Sequence, residues 1–283
     1  MSIKDETFTL NNGSVIPSIG FGTAPLKGDE AYEAVLNALK AGYRHIDTAQ
    51  AYQNEKDVGR AIADFGIARE DLFITTKLEA SIKTYEGAIK ALESSLENLN
   101  TDYVDLYLIH APWPWDDKYS NHKEGNVEAY KALEYLYEIG KAKAIGISNF
   151  NVDDTKNILE HCSVVPQVNQ IKYHIGHNQK EVHDYCSKHD ILIEAYSPLG
   201  RGKILQHEVL VDMAEKYNVS TAKLSLRYIL QKDVLPLPRS NNPKNISNNL
   251  ALDFTLDKKD IESLDQLDIE SIEFGKVKSK NKQ

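Results

Sequence analysis

Four side chains that can move or hold protons punctuate the first part of the chain: Asp47, Tyr52, Lys77 and His110. Tyr52 is a candidate general acid, with an ordinary phenol pKa near 10. A neighbouring ammonium favours the phenolate, so Lys77 is expected to bring that pKa down toward the working range. Asp47 can pair with Lys77 and make its burial tolerable. His110 can orient a substrate carbonyl, or polarise it by hydrogen bonding. Together these groups suit reduction of a carbonyl, except that no side chain supplies a hydride; a nicotinamide cofactor does. Ser148, Asn149 and Gln170 can hydrogen-bond a carboxamide, and Tyr196 can stack on a nicotinamide ring. Arg239 and Ser240, with Lys244 at a helix start, can hold a phosphate.

Such a set works only if the fold brings it to one place. Residues 8–15 read as a hairpin, with Asn12-Gly13 as the turn signal. A short Gly-rich strand follows at 18–23, then an amphipathic helix at 29–41 stopped by Gly42. From there strands at 43–47, 72–77, 104–110, 144–148, 165–170, 191–197 and 234–238 alternate with helical segments at 54–65, 83–98, 127–139, 152–160, 179–189, 207–217 with 221–231, and 244–250. An amphipathic segment at 258–267 precedes a lysine-rich tail, 276–283, read as a frayed end.

The strands are short apolar runs, as parallel strands buried on both faces should be. Eight strand–helix units predict an α/β fold: a single (β/α)₈ TIM barrel over residues 1–283, closed below by the hairpin and ending in a short C-terminal segment. The rival arrangement is a doubly wound open sheet. In such a barrel the chemistry sits where the strands end. The eight ends carry Gly22-Thr23, Asp47, Lys77, His110, Ser148-Asn149, Gln170, Tyr196-Ser197 and Arg239-Ser240. Taken singly, Asp47 reads as a helix cap, Lys77 as a surface lysine and His110 as a satisfied core histidine. Polar groups coinciding at all eight ends favour the functional reading.

Bulk composition sets outer limits. The balance of 33 basic and 42 acidic residues, net −9, argues against nucleic acid or an anionic membrane as the main partner. Cys162 and Cys186 make no C-x-x-C and read as free thiols in a reducing compartment. No apolar run approaches the roughly 20 residues of a membrane span, and the first residues lack a signal-peptide core. A cytoplasmic protein is expected, and the acidic surface favours a monomer.

Several spaced motifs carry a resemblance. Residues 42–55, Gly-Tyr-Arg-His-Ile-Asp-Thr-Ala-Gln-Ala-Tyr-Gln-Asn-Glu, and 145–150, Ile-Gly-Ile-Ser-Asn-Phe, resemble two signatures of the aldo-keto reductases. Residues 168–174, 195–200 and 237–240 are similar to that family's cofactor segments. The likeness runs from the hairpin to about residue 270 and is closest to compact microbial members. It implies a (β/α)₈ barrel reducing aldehydes or ketones with extended NADPH, and a tetrad of Asp47, Tyr52, Lys77 and His110 with Tyr52 as proton donor. It also implies that Ser148, Asn149, Gln170 and Tyr196 hold the nicotinamide. Gly22, Thr23, Ser197, Leu199, Arg239, Ser240 and Lys244 line the rest of the track, with Asn249 at the adenine.

The chain departs from the family pattern in three ways. Ala24 and Ala111 stand where tryptophans are common, so a re-shaped substrate pocket is expected, refilled in part by Trp113 and Trp115. Arg239 replaces a usual lysine and Asn245 an expected arginine; NADPH is still favoured over NADH. The C-terminal segment is short, which points to keto-sugars, dicarbonyls or keto-esters.

Other signals fail. Gly20-Phe-Gly-Thr-Ala-Pro25 begins like a dinucleotide fingerprint, but Pro25 takes the third glycine's place. His174 and His177 lack a third metal ligand, so no metal is expected. Two rival functions are a non-catalytic, redox-sensing NADPH-binding subunit and a Schiff-base lyase using Lys77 as nucleophile. Asp47 beside Lys77 disfavours the second by keeping the amine charged.

Overall fold

The computed structural model describes residues 2–267. The tail at 276–283 lies outside them. The chain opens with an antiparallel hairpin, β1 (Thr7–Thr9) and β2 (Val15–Pro17), in the register Thr7 to Pro17 and Thr9 to Val15. Gly13 takes φ +84° in its turn, a conformation that favours glycine.

Eight parallel strands follow: β3 (Phe21–Gly22), β4 (His45–Asp47), β5 (Phe73–Leu78), β6 (Val104–Ile109), β7 (Ala142–Ser148), β8 (Val168–Lys172), β9 (Leu192–Tyr196) and β10 (Val234–Leu237). They pair in sequence order from β3 to β10. The sheet then closes on itself. Gly20 N–H donates to Pro236 O and Gly22 N–H to Pro238 O, both at 3.1 Å. Closure explains the glycines of this first strand. A Cβ on Gly20 would stand 2.5 Å from Leu237 Cδ2 and 2.6 Å from the His45 ring, so the strands could not approach. The open-sheet alternative is thereby excluded.

Outside the strands lie α1 (Gly28–Ala41), α2 (Glu55–Phe65), α3 (Tyr85–Leu99), α4 (Lys123–Glu138), α5 (Val152–His161), α6 (Lys180–Ser187), α7 (Glu208–Lys216), α8 (Thr221–Leu230), α9 (Pro243–Asn248) and α10 (Lys258–Asp265). Helix α1 shows why they form. Ala31, Ala34, Val35, Ala38 and Leu39 recur at helical spacing and are buried, and Gly42 ends the helix with its N–H on Ala38 O and Leu39 O. Helix α5 starts with a capping box between Asn151 and Asp154. Two apolar clusters pack helices against the outer face of the sheet. A third, including Leu106, Leu108, Val168, Leu235 and Leu237, fills the barrel; Leu10 and Ile16 of the hairpin segment belong to it and plug the bottom.

Element edges differ from expectation where polar residues are buried. Helix α4 begins at Lys123, a turn before the expected 127, because Asn126 is an interior anchor: its Nδ2 donates to Pro112 O and its Oδ1 accepts from Lys83 Nζ. Strand β8 runs to Lys172 rather than ending at Gln170. Gln170 is therefore an internal strand residue, flanked by Ser148 on β7 and Glu194 on β9. Among the described residues, no helix is long and apolar enough to cross a membrane.

Candidate active site

The C-terminal mouth of the barrel holds a cleft of about 900 Å³. Tyr52 reaches it from a short 3₁₀ turn, Gln50–Tyr52, directly after β4. Polar bonds beneath fix that turn. Thr48 Oγ1 donates to Asn54 Oδ1 at 2.6 Å, and Asn54 Nδ2 donates to Leu26 O at 2.9 Å, tying the loop to the one after β3. Gln53 closes the turn at φ +56°.

Lys77 is fully buried behind this surface. Its ammonium donates to Asp47 Oδ1 (2.8 Å), Asp47 Oδ2 (2.7 Å) and Thr48 O (2.8 Å). Nζ lies 5.1 Å from the centre of the Tyr52 ring. Burial pulls the lysine pKa down, but Asp47, Tyr52 and the hydrogen bond to Asp47 outweigh it and hold the ammonium above its ordinary value. A charged ammonium held by Asp47 has no lone pair for attack on a carbonyl, which disfavours the Schiff-base reading.

Burial of Tyr52 raises its pKa, Lys77 opposes that, and Asp47 adds to it; the net direction is upward. This corrects the expectation that Lys77 brings the phenol into the working range. Desolvation of the phenolate is the larger effect. Tyr52 is held as a phenol, the form a proton donor needs. His110 packs edge-to-face on Tyr52 at 5.5 Å between ring centres and on Trp115 at 5.3 Å. Burial and then Lys77 depress its pKa to about 3, so the imidazole is neutral and retains one N–H to donate. Its Nδ1 is buried without a partner.

On the opposite side of the mouth the amides are tightly bonded. Asn149, at φ +63°, donates to His110 O (2.9 Å) and Ser148 Oγ (3.1 Å), and its Oδ1 accepts from the Tyr196 hydroxyl (2.8 Å). Ser148 Oγ donates to Gln170 O at 2.8 Å. Gln170 Nε2 donates to Asp47 Oδ2 (2.9 Å) and Glu194 Oε2 (2.8 Å). The Tyr196 ring is half-buried at the cleft; its hydroxyl is occupied, which leaves the ring itself to meet a ligand.

Most of the expected residues converge. Gly22, Ala24, Asp47, Tyr52, His110, Ser148, Asn149, Gln170, Tyr196, Ser197, Leu199, Arg239, Ser240 and Trp115 all line the cleft. Lys77 stands behind Tyr52. Thr23 is buried with its Oγ1 on Asp47 O and is outside the lining, as are Ala111, Lys244 and Asn249. Trp113 also stands outside it, ring to ring behind Trp115 at 5.3 Å. At the helix start near Lys244 the backbone N–H groups of Lys244 and Asn245 are already taken by Asn242 Oδ1, while the Lys244 side chain is exposed. Arg239 and Lys244 both present exposed cationic side chains there. His174 and His177 form a two-residue bridge, and no group of three metal-binding side chains occurs among the described residues.

Two charged residues, one at the mouth and one beneath it, are not found by the sequence reading. Arg201, at φ +55°, lines the cleft just past β9. Glu194 lies fully buried inside the barrel. Alternation along β9 could have found it, because Leu192 packs on the interior cluster while Ile193 and Ala195 pack outward, so the carboxylate belongs with Tyr196 inside.

Comparison with known proteins identifies the family and the fold. The model of the Aldo/keto reductase family matches residues 18–269. A glyoxal reductase of Bacillus subtilis is similar, 44% identical over 268 residues that cover 94% of each chain. An aldo/keto reductase structure from Brucella melitensis superposes with TM-score 0.87 at 43% identity, over 92% of this chain and 98% of that one. A Bombyx mori aldo-keto reductase in complex with NADP superposes with TM-score 0.83 at 33% identity, over 92% of both.

Proposed function

The chain belongs to the aldo/keto reductase family, and we propose that it reduces small aldehydes and ketones to alcohols with NADPH, Tyr52 giving the proton. The substrate class we favour is dicarbonyls, keto-sugars and keto-esters, in keeping with the similarity to a glyoxal reductase. The observation that carries the reading is the pairing of a half-buried phenol with a fixed ammonium and a neutral imidazole at one cleft.

The donor set suits a nicotinamide nucleotide. Gln170 can accept from a carboxamide, the Tyr196 ring can face a planar heterocycle, and Arg239 and Arg201 offer cations to phosphates. A bound reduced nicotinamide supplies the hydride. The protein's own residues do the rest. His110 donates its N–H to the substrate carbonyl and orients it. Tyr52 gives its proton to the oxygen as negative charge develops there; burial holds the proton on the phenol until then. Lys77, locked by Asp47, stabilises the phenolate left behind. Trp115 and Ala24 shape the substrate side of the cleft. We place the enzyme in the cytoplasm as a monomer, in keeping with two unbridged cysteines and an acidic surface.

The test is a panel of glyoxal, a keto-ester and a keto-sugar, each run with NADPH and with NADH. Consumption of NADPH dependent on the carbonyl is expected, and faster than that of NADH. No consumption with any carbonyl would refute the reading.

A further inference from the structure

Glu194 has no part in the chemistry above, yet it is a buried acid beside it. Register puts it next to Gln170 on the neighbouring strand, with both side chains turned into the barrel. The Nε2 of Gln170 has two hydrogens. One goes to Asp47 Oδ2 at 2.9 Å and the other to Glu194 Oε2 at 2.8 Å. Turned the other way, the amide would put its oxygen against the acceptor-only Asp47 carboxylate, so Asp47 fixes this orientation and the second hydrogen falls to Glu194.

We propose that Glu194 is a positioning residue: by taking the second amide hydrogen of Gln170 it leaves that side chain only its carbonyl oxygen to offer a ligand, and so makes the cleft select a cofactor whose ring amide donates. The neighbouring groups do not duplicate this. Both Asn149 hydrogens are used, its Oδ1 is already an acceptor, and the Ser148 hydroxyl donates to the Gln170 backbone.

Glu194 keeps this role in either charge state, because the bond is made to a carboxyl oxygen that accepts whether or not the group is ionised. Burial and the Asp47 carboxylate push its pKa up to about 8, opposed by Gln170 and Lys77, so it is mainly uncharged at neutral pH. Its other oxygen, Oε1, is buried without a partner and is free to carry the proton.

The inference rests on the NADPH reading. Its test compares affinity for NADPH with that for the acetylpyridine analogue, in which a methyl ketone replaces the amide and no N–H remains. Affinities are read from quenching of tryptophan fluorescence, without turnover. Wild type should prefer NADPH by about tenfold, the worth of one neutral hydrogen bond. In Glu194→Leu, NADPH affinity should fall by about tenfold while that for the analogue holds, so the preference disappears. Glu194→Gln, whose amide oxygen still accepts, should keep the preference.

Equal loss for both nucleotides in Glu194→Leu would mean a merely structural role and overturn the proposal. So would a wild type that binds both equally, which is decisive even if the leucine variant does not fold. A wild type that binds neither nucleotide refutes the NADPH reading itself, a distinct outcome.

Discussion

The two oxygens of Asp47 grip the Lys77 ammonium at 2.8 and 2.7 Å, in a pair that is 5% and 0% exposed at its two side chains. Burial this deep means each charge depends on the other. Desolvating one ion without its partner costs several kcal/mol.

Asp47→Asn should therefore lower stability by about 3–5 kcal/mol. It should also loosen the ammonium behind Tyr52 and reduce turnover. Thermal unfolding and steady-state kinetics on the same preparation measure both. An unchanged melting temperature would contradict the pair's role in the fold.

Stability should depend on pH through three buried groups. His110 and His45 are depressed from 6.5 to about 3, both by burial first and Lys77 second. As pH falls below 6.5, the unfolded chain takes up protons that the folded chain refuses, so stability is lost from there down toward 3. The slope approaches ~1.4 kcal/mol per pH unit for each group. Glu194 acts in the opposite sense. The folded chain keeps its proton until about 8 while the unfolded chain releases it near 4.5, so its contribution is lost as pH rises through that window. Glu194→Gln should flatten the loss on the alkaline side and leave the acid limb in place. Melting temperature against pH for the two proteins is the measurement.

Trp115, at the cleft wall against His110 and 44% exposed, should govern substrate size. Trp115→Ala should raise KM for glyoxal several-fold and improve relative activity on bulkier keto-esters. Trp113→Ala should do less, because that ring supports Trp115 from behind. A larger effect at Trp113 than at Trp115 would reverse the assignment.

Strand ends were readable because parallel strands are short, apolar and punctuated. Each polar residue closing an apolar run, such as Lys77 or His110, announces the mouth of the barrel. The register across strands was less legible. The sequence pattern puts Gln170 at a strand end, whereas it lies within β8 and bridges Asp47 to Glu194. Glu194 belongs to no motif, and only the alternation along β9 places its carboxylate inside the barrel. The direction of the Tyr52 shift is illegible in the sequence for a related reason. Proximity of Lys77 is inferable from residue types, while the depth of burial that outweighs it is a property of the packed barrel. Trp113 and Trp115 are two residues apart in an irregular loop, and no periodicity tells which one faces the cleft.

The most direct measurement is turnover of glyoxal by Tyr52→Phe, with NADPH affinity determined in parallel. Loss of the proton donor should lower kcat by ~10²–10⁴-fold and leave NADPH binding within about twofold of wild type, since the phenol hydroxyl is assigned to the substrate side. A variant that binds NADPH and turns over at near wild-type rate would contradict the assignment of Tyr52 as the acid.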